Sequence, residues 1–242
     1  MRQIRVYVDQ TLQADAELEL PRDAAHHLIR VLRLRRGDRV ILFNGDGWEY
    51  PAEIIDSETR SSCRVCLGPP TEPAVESPLR LTLIQAIGRG ERMDWAIQKS
   101  TELGVDRIQP VFTERTEVRL DGVRASKRLR HWQQVAIAAS EQSGRVLVPV
   151  IEAPLPLREL GQCQDAGMFL DPQALVRPAD LKPSGSNAWT VVVGPEGGLS
   201  DAETDWLSQQ GFQGLKLGPR VLRTETAGPA VLAMLQTRFG DW

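Results

Sequence analysis

From Leu81 to the C-terminus, short β-like runs alternate with stretches of helical periodicity, and that order admits few folds other than a mostly parallel sheet covered by helices. Leu81–Ile87 reads as a strand. Met93–Leu103 reads as a helix, with Met93, Ile97, Ser100 and Leu103 toward one face and Gly104 as its stop, and Arg107–Thr113 reads as the next strand. A long helix from about Ser126 to Ser143, strands near Val148–Glu152, Met168–Asp171, Val191–Val193 and Leu215–Leu217, and a last helix from about Glu225 to Phe239 continue the series. Taken alone, this pattern predicts an open, doubly wound α/β sheet.

Pro69, Pro70, Pro73 and Pro78, interleaved with Thr71, Glu72, Glu76 and Ser77, break the chain before that series. The stretch reads as a stiff, polar linker, which divides the chain into residues 1–68, a linker 69–78 and residues 79–242. Strand patterns dominate the first part, at Arg5–Val8, Asp38–Phe43, Glu49–Ile55 and Ser62–Leu67. Asn44-Gly45-Asp46-Gly47 supplies hairpin-turn chemistry, and a short helix is expected from about Asp23 to Val31.

Two stretches carry the chemistry. Gly194-Pro195-Glu196-Gly197-Gly198 follows the β-branched run Thr190–Val193 and precedes Ser200-Asp201-Ala202-Glu203, whose Ser and Glu spacing reads as a helix-capping box. Its glycines let backbone groups approach a bound molecule closely, and Pro195 stiffens the turn. Glu196 places a carboxylate where a phosphate cradle wants bare N–H groups and a cation, so a neutral or cationic adenosine derivative fits better than a nucleoside triphosphate. Gly88 and Gly90 lack the third glycine of a dinucleotide fingerprint. The second stretch is Leu217-Gly218-Pro219-Arg220-Val221-Leu222-Arg223-Thr224-Glu225-Thr226-Ala227. The plain alternative is that both stretches are only tight connections between a strand and a helix.

Charge and cysteine usage narrow the function class. A net charge of −3 is unusual for an RNA binder, yet Arg30, Arg33, Arg35, Arg36 and Arg39 stand against one acid, Asp38, and form a local cationic patch. At physiological salt the Debye length is about 8 Å, so distant carboxylates are largely screened from a phosphate at that patch. The competing reading is a solvated face whose arginines pair with neighbouring acids. Cys63 and Cys66 lack the second ligand pair that a zinc site needs, and His26, His27 and His131 offer no matching spacing, so no metal is expected. No apolar run approaches the roughly 20 residues of a membrane span. Met1–Val6 runs straight into strand-like sequence without the apolar block of a signal peptide, which predicts a cytoplasmic protein with no membrane contact.

The two stretches, together with Gln98–Val105 and Glu141–Arg145, resemble the ribosomal RNA small subunit methyltransferase E family over nearly the whole chain. The resemblance implies an α/β fold whose C-terminal domain is a SPOUT-type α/β knot, a deep trefoil knot with a mostly parallel sheet. A small PUA-like β-barrel that binds RNA precedes it. It also implies S-adenosylmethionine as methyl donor, S-adenosylhomocysteine as product, N3 of a uridine in 16S ribosomal RNA of the small ribosomal subunit as acceptor, and a homodimer.

Carried over by position, the cofactor residues are Gly194, Glu196, Gly197 and Gly198 of the first loop and Leu217, Gly218, Val221, Leu222, Arg223, Thr226 and Ala227 of the second. Leu217, Val221 and Leu222 are expected to sandwich the adenine, and Gly197 and Gly218 to leave it room. Uracil N3 becomes nucleophilic only as its proton leaves and charge spreads to O2 and O4, so a cation and a proton acceptor are needed. Arg223 and Glu225 are the catalytic candidates, with Glu196 as an alternative acceptor and an orienting role open to both acids. Arg30, Arg33, Arg35, Arg36, Arg115 and Arg145 are the RNA-side candidates, the last two because they match family positions facing substrate or partner subunit. A non-catalytic RNA-binding assembly factor, a related methyltransferase for another RNA base, and a metabolic enzyme with an adenosine ligand are the other classes.

Overall fold

The structure, a computed structural model, describes residues 3–57, 62–118, 120 and 122–242; Met1 and Arg2 of the N-terminal lead lie outside the described residues. Its contacts divide the chain into two units, Met1–Glu76 with Ser140–Val148, and Ser77–Ala139 with Pro149–Trp242.

Among the strands of the smaller unit, Tyr50–Asp56 shows two-residue periodicity most clearly. β1 (Arg5–Tyr7), β2 (Glu17–Glu19), β3 (Arg39–Phe43), β4 (Tyr50–Asp56) and β5 (Arg64–Leu67) form a mixed sheet in the order β1-β3-β4-β5-β2, with β1 and β3 parallel and the other pairs antiparallel. In β4, Tyr50, Ala52 and Ile54 are buried while Pro51 and Glu53 are exposed. The buried set meets Val6, Leu20, Leu28 and Val65 in one core. At the hairpin between β3 and β4, Asn44 Oδ1 accepts the Asp46 N–H at 3.1 Å and Asp46 Oδ1 accepts the Trp48 N–H at 2.9 Å. The short helix divides into α1 (Arg22–His26) and a π-helical turn, His27–Val31.

The proline-rich stretch is partly paired with this sheet, since Thr71 and Glu49 exchange backbone hydrogen bonds at 2.8 and 2.9 Å. It ends at Glu76. That carboxylate receives Nε and Nη2 of Arg145 at 2.9 and 2.8 Å on one oxygen and the N–H groups of Val146 and Leu147 at 2.9 and 3.0 Å on the other.

In the larger unit the central parallel strands are the most buried, as expected where helices cover both faces of a sheet. β6 (Arg80–Ala86), α2 (Arg92–Glu102), β7 (Arg107–Phe112), α3 (Gly122–Ser143, of which the part to Ala139 belongs here), β8 (Val150–Ile151), β9 (Leu155–Pro156), β10 (Ala166–Leu170), β11 (Ala188–Val193), α4 (Asp201–Gln209), β12 (Gln213–Leu215) and α5 (Thr224–Phe239) follow in sequence. The sheet order is β12-β10-β11-β6-β7-β8, with β9 alongside β7, and every pairing is parallel. All six residues of β11 are buried. The last helix, α5, lies against α2, β6 and β11, and Gln236 on it accepts the Ser77 hydroxyl at 2.7 Å and donates to the Leu103 carbonyl at 2.9 Å.

Removing the guanidinium from the Glu76 pair strands a largely buried carboxylate. Arg145→Met should lower the unfolding free energy by about 3 kcal/mol in urea denaturation. An unchanged midpoint would show that the pair contributes nothing.

Candidate active site

At the carboxyl ends of β10, β11 and β12 lies a cleft of about 780 Å³, bordered by Leu170, Val193 and Leu215 from the strand ends themselves. Parallel α/β sheets present ligands at this edge, where loops diverge and helices begin.

The first wall is the glycine loop. A Cβ on Gly194 would sit 3.1 Å from both Cγ and the backbone N of Leu199, so only glycine lets the chain double back so closely. Gly198, at φ +71°, closes the turn with its N–H on the Pro195 carbonyl at 2.9 Å. The capping box forms as expected: Ser200 Oγ accepts the Glu203 N–H at 3.2 Å, and Glu203 Oε2 accepts the Ser200 N–H at 2.9 Å. Gly197 packs against Arg115, itself part of the cleft lining. Its missing side chain makes room for Arg115, whose Cβ would stand 3.2 Å from a Cβ at 197.

Leu217 to Arg223 make the second wall. Gly218 borders open space, with no atom within 4 Å of where its Cβ would be, and Val221 and Leu222 expose 80% and 36% of their surface at the rim. Arg223 precedes α5 with its side chain exposed, while its carbonyl accepts the N–H groups of Thr226 and Ala227, both at 2.9 Å. Ala227 lines the cleft; Thr226 is exposed outside it.

Three side chains that were passed over in sequence join these walls. Thr224 Oγ1 donates to the Gly194 carbonyl at 2.7 Å and accepts Gln85 Nε2 at 2.9 Å, so a buried relay runs from β6 through the start of α5 to the glycine loop. Arg92, at the start of α2, pairs with Glu196 and brings its Nε to 4.0 Å from Glu225 Oε1. The glutamine within the apolar run of β6 was the available signal for the relay. For Arg92 it was the Gly88-Arg89-Gly90 connection: a Cβ on Gly88 would lie 3.7 Å from Thr224 Cγ2 and 3.8 Å from Glu196 Oε1.

The two acids differ in what they meet. Burial alone would raise the Glu196 carboxyl, but hydrogen bonds from its own backbone, from Arg92 and from the Arg89 N–H, with the Arg92 charge, hold it below the usual carboxylate range. Glu225 lines the cleft with Oε2 buried and without a hydrogen-bond partner among the described residues.

Of the RNA-side candidates, Arg30, Arg33, Arg35 and Arg36 lie exposed on the smaller unit with no carboxylate at ion-pair distance among the described residues. Asp38 is taken by the Arg35 backbone N–H at 2.6 Å, and Arg39 Nε stands 3.9 Å from Glu53. Arg115 belongs to the cleft, where its Nη1 donates to the carbonyls of Gly197 and Leu199 at 2.9 and 3.2 Å. The RNA-facing expectation for Arg145 is corrected: it is 4% exposed and its guanidinium is committed to Glu76.

Comparison with known proteins identifies this arrangement. The model of an RNA methyltransferase domain matches residues 75–236, and that of an RNA methyltransferase PUA domain matches residues 20–65. The ribosomal RNA small subunit methyltransferase E of Buchnera aphidicola (subsp. Schizaphis graminum) is 33% identical over 98% of this chain and 97% of its own length. The chain belongs to the ribosomal RNA small subunit methyltransferase E family. A second family member, from Bacillus subtilis, is 31% identical over 92% of each chain. The family enzyme of Neisseria gonorrhoeae, solved bound to S-adenosyl methionine, superimposes over the full length of both chains with a TM-score of 0.93 at 36% identity. A Legionella pneumophila protein with bound SAM does so with a TM-score of 0.96 at 38% identity.

Because the Glu196 pKa is held down in the folded protein, its ionised form stabilises the loop at neutral pH, and that contribution disappears as pH falls through the folded-state value. Arg92→Gln should therefore move the Glu196 titration upward, read by carboxyl-carbon NMR, and increase amide exchange at Gly197 and Gly198. An unmoved titration would show that Arg92 does not hold the loop.

Proposed function

We propose that the protein transfers a methyl group from S-adenosylmethionine to N3 of a uridine in 16S ribosomal RNA of the small ribosomal subunit, releasing S-adenosylhomocysteine. The observation that carries this reading is the cleft itself: both glycine-bearing stretches wall it, and family members hold the same methyl donor. The donor set fits that molecule. Exposed Val221 and Leu222 offer an apolar surface for a purine, open space beside Gly218 admits it, and an unpartnered Glu225 oxygen suits a cationic ligand better than a phosphate. Gly194, Gly198, Leu217 and Ala227 complete the pocket, with Gly197 and Thr226 acting from behind it through Arg115 and the Arg223 carbonyl.

When bound, S-adenosylmethionine supplies an electrophilic methyl group for in-line displacement. The protein's part is alignment and charge. Glu225 takes the N3 proton, since Glu196 is occupied by Arg92 and the Arg89 N–H. Arg223, beside it at the mouth of α5, stabilises the charge that develops on O2 and O4. The base must leave its stack to arrive there, which costs a few kcal/mol that phosphate contacts offset. Arg30, Arg33, Arg35 and Arg36 make such contacts, so residues 1–68 position the RNA and residues 79–242 react with it, the prolines of 69–78 standing between.

The same reading includes a SPOUT-type trefoil knot around the two loops, supported by the return of α5 from the β12 edge to β6, β11 and α2. It also includes a homodimer and a cytoplasmic location with the ribosome. Among the described residues no helix is long and apolar enough to cross a membrane.

Arg223→Ala should lower kcat about 100- to 1000-fold with cofactor affinity little changed. Full turnover would remove Arg223 from the mechanism. Gly218→Val should leave the melting temperature unchanged, because among the described residues nothing beyond its chain neighbours stands within 4 Å of the new Cβ, yet weaken S-adenosylmethionine binding at least tenfold by calorimetry. Equal affinity would mean that the donor lies elsewhere. Mass mapping of small-subunit rRNA methylated by the purified protein should find 3-methyluridine, and methylation at another atom or base would overturn the N3 assignment.

A further inference from the structure

The larger unit carries a cationic surface that the active site does not use. Residues 122–140, nearly all of α3, contain Arg124, Lys127, Arg128 and Arg130 and no Asp or Glu, on a chain whose net charge is −3. Lys127, Arg128 and Arg130 are exposed. At 3.6 residues per turn they span about 160° of the helix circumference, so they form one face.

This placement works against the helix, because Lys127 and Arg130, three residues apart, are neighbours of like charge on its surface. Nor are the charges compensated from outside. In the same unit Arg89, Arg92, Lys99, Arg107 and Arg158 each stand beside a carboxylate, whereas Lys127, Arg128 and Arg130 have none at ion-pair distance among the described residues. Asp94, the acid that α2 brings against α3, is held by His131 with Nε2 and Oδ2 2.6 Å apart. Arg124 has an interaction partner of its own and is left out. A sequence that breaks a local rule without internal compensation marks a place where something external supplies it.

We propose that Lys127, Arg128 and Arg130 form a second RNA-binding surface, contacting the phosphate backbone of the ribosomal RNA substrate from the catalytic unit itself, separately from the arginines of the smaller unit. The inference rests on the RNA methyltransferase reading above. Charge complementarity selects the occupant: an exposed cationic face without carboxylate partners among the described residues fits a polyanion, and the family's domain model is that of an RNA methyltransferase.

The test is the salt dependence of binding to a full-length small-subunit rRNA transcript. The triple variant Lys127→Gln, Arg128→Gln, Arg130→Gln keeps good helix formers on an exposed face and should melt at or slightly above the wild-type temperature. It is expected to bind at least tenfold more weakly near physiological salt, to lose about two units from the slope of log affinity against log salt, and to bind S-adenosylmethionine as the wild type does. The charge-conserving variant Lys127→Arg, Arg128→Lys, Arg130→Lys should bind RNA like the wild type. Unchanged affinity and slope in the glutamine variant, or equal loss in the charge-conserving one, would overturn the proposal. A wild-type protein with no salt-dependent RNA affinity would instead remove the parent reading.

Discussion

The Thr224 hydroxyl is the junction on which the cleft depends. It accepts from Gln85 and donates to the Gly194 carbonyl, so the first residue of α5 is fixed at once to the β6 strand and to the loop after β11. Gln85 is 1% exposed; its Nε2 is satisfied by Thr224 and by the Ala86 carbonyl, while its Oε1 has no partner among the described residues. Around this neutral link runs a charged one, in which Arg92 spans from the carboxylate of Glu196 toward that of Glu225. Three connections far apart in sequence thereby form one wall, and the glycines at 88 and 194 are the points where that wall has no space for a side chain.

Charge is organised by pairing rather than by amount. Within the larger unit, three arginines around the cleft are spent on the protein, Arg115 on loop carbonyls, Arg92 on Glu196 and Arg89 on Glu117, while Arg220 and Arg223 have no carboxylate at ion-pair distance among the described residues. In the smaller unit, Arg145 is likewise consumed inside, by Glu76. Among the described cations without a carboxylate at ion-pair distance are the arginine group from Arg30 to Arg36 and the face on α3. An acidic chain can therefore present phosphate-binding surfaces, because screening makes local charge the quantity that matters.

Local rules made much of the fold legible from residues alone. The capping box at Ser200 and Glu203 needs only a three-residue spacing, and β4 and β11 announce themselves by alternation and by an unbroken apolar run. β2, a Glu-Leu-Glu segment of three residues, is too short for any period to register, and α3 begins at Gly122, ahead of the clearest helical signal. The misplaced and missing site residues share one cause. Arg92 meets Glu196 across 104 residues, Gln85 meets Thr224 across 139, and Arg145 meets Glu76 across 69, so nothing in the neighbourhood of each residue records its partner. The space beside Gly197 is likewise filled from far away in sequence, by Arg115 of the loop after β7.

Calorimetric titration of S-adenosylmethionine into Thr224→Val and Thr224→Ser tests the junction most directly. Valine preserves the shape and removes the hydroxyl, leaving the Gly194 carbonyl without this bond and Gln85 Nε2 with only its bond to the Ala86 carbonyl. The account requires at least a tenfold loss of affinity in the valine variant and near wild-type affinity in the serine variant. Tight binding by the valine variant would contradict it.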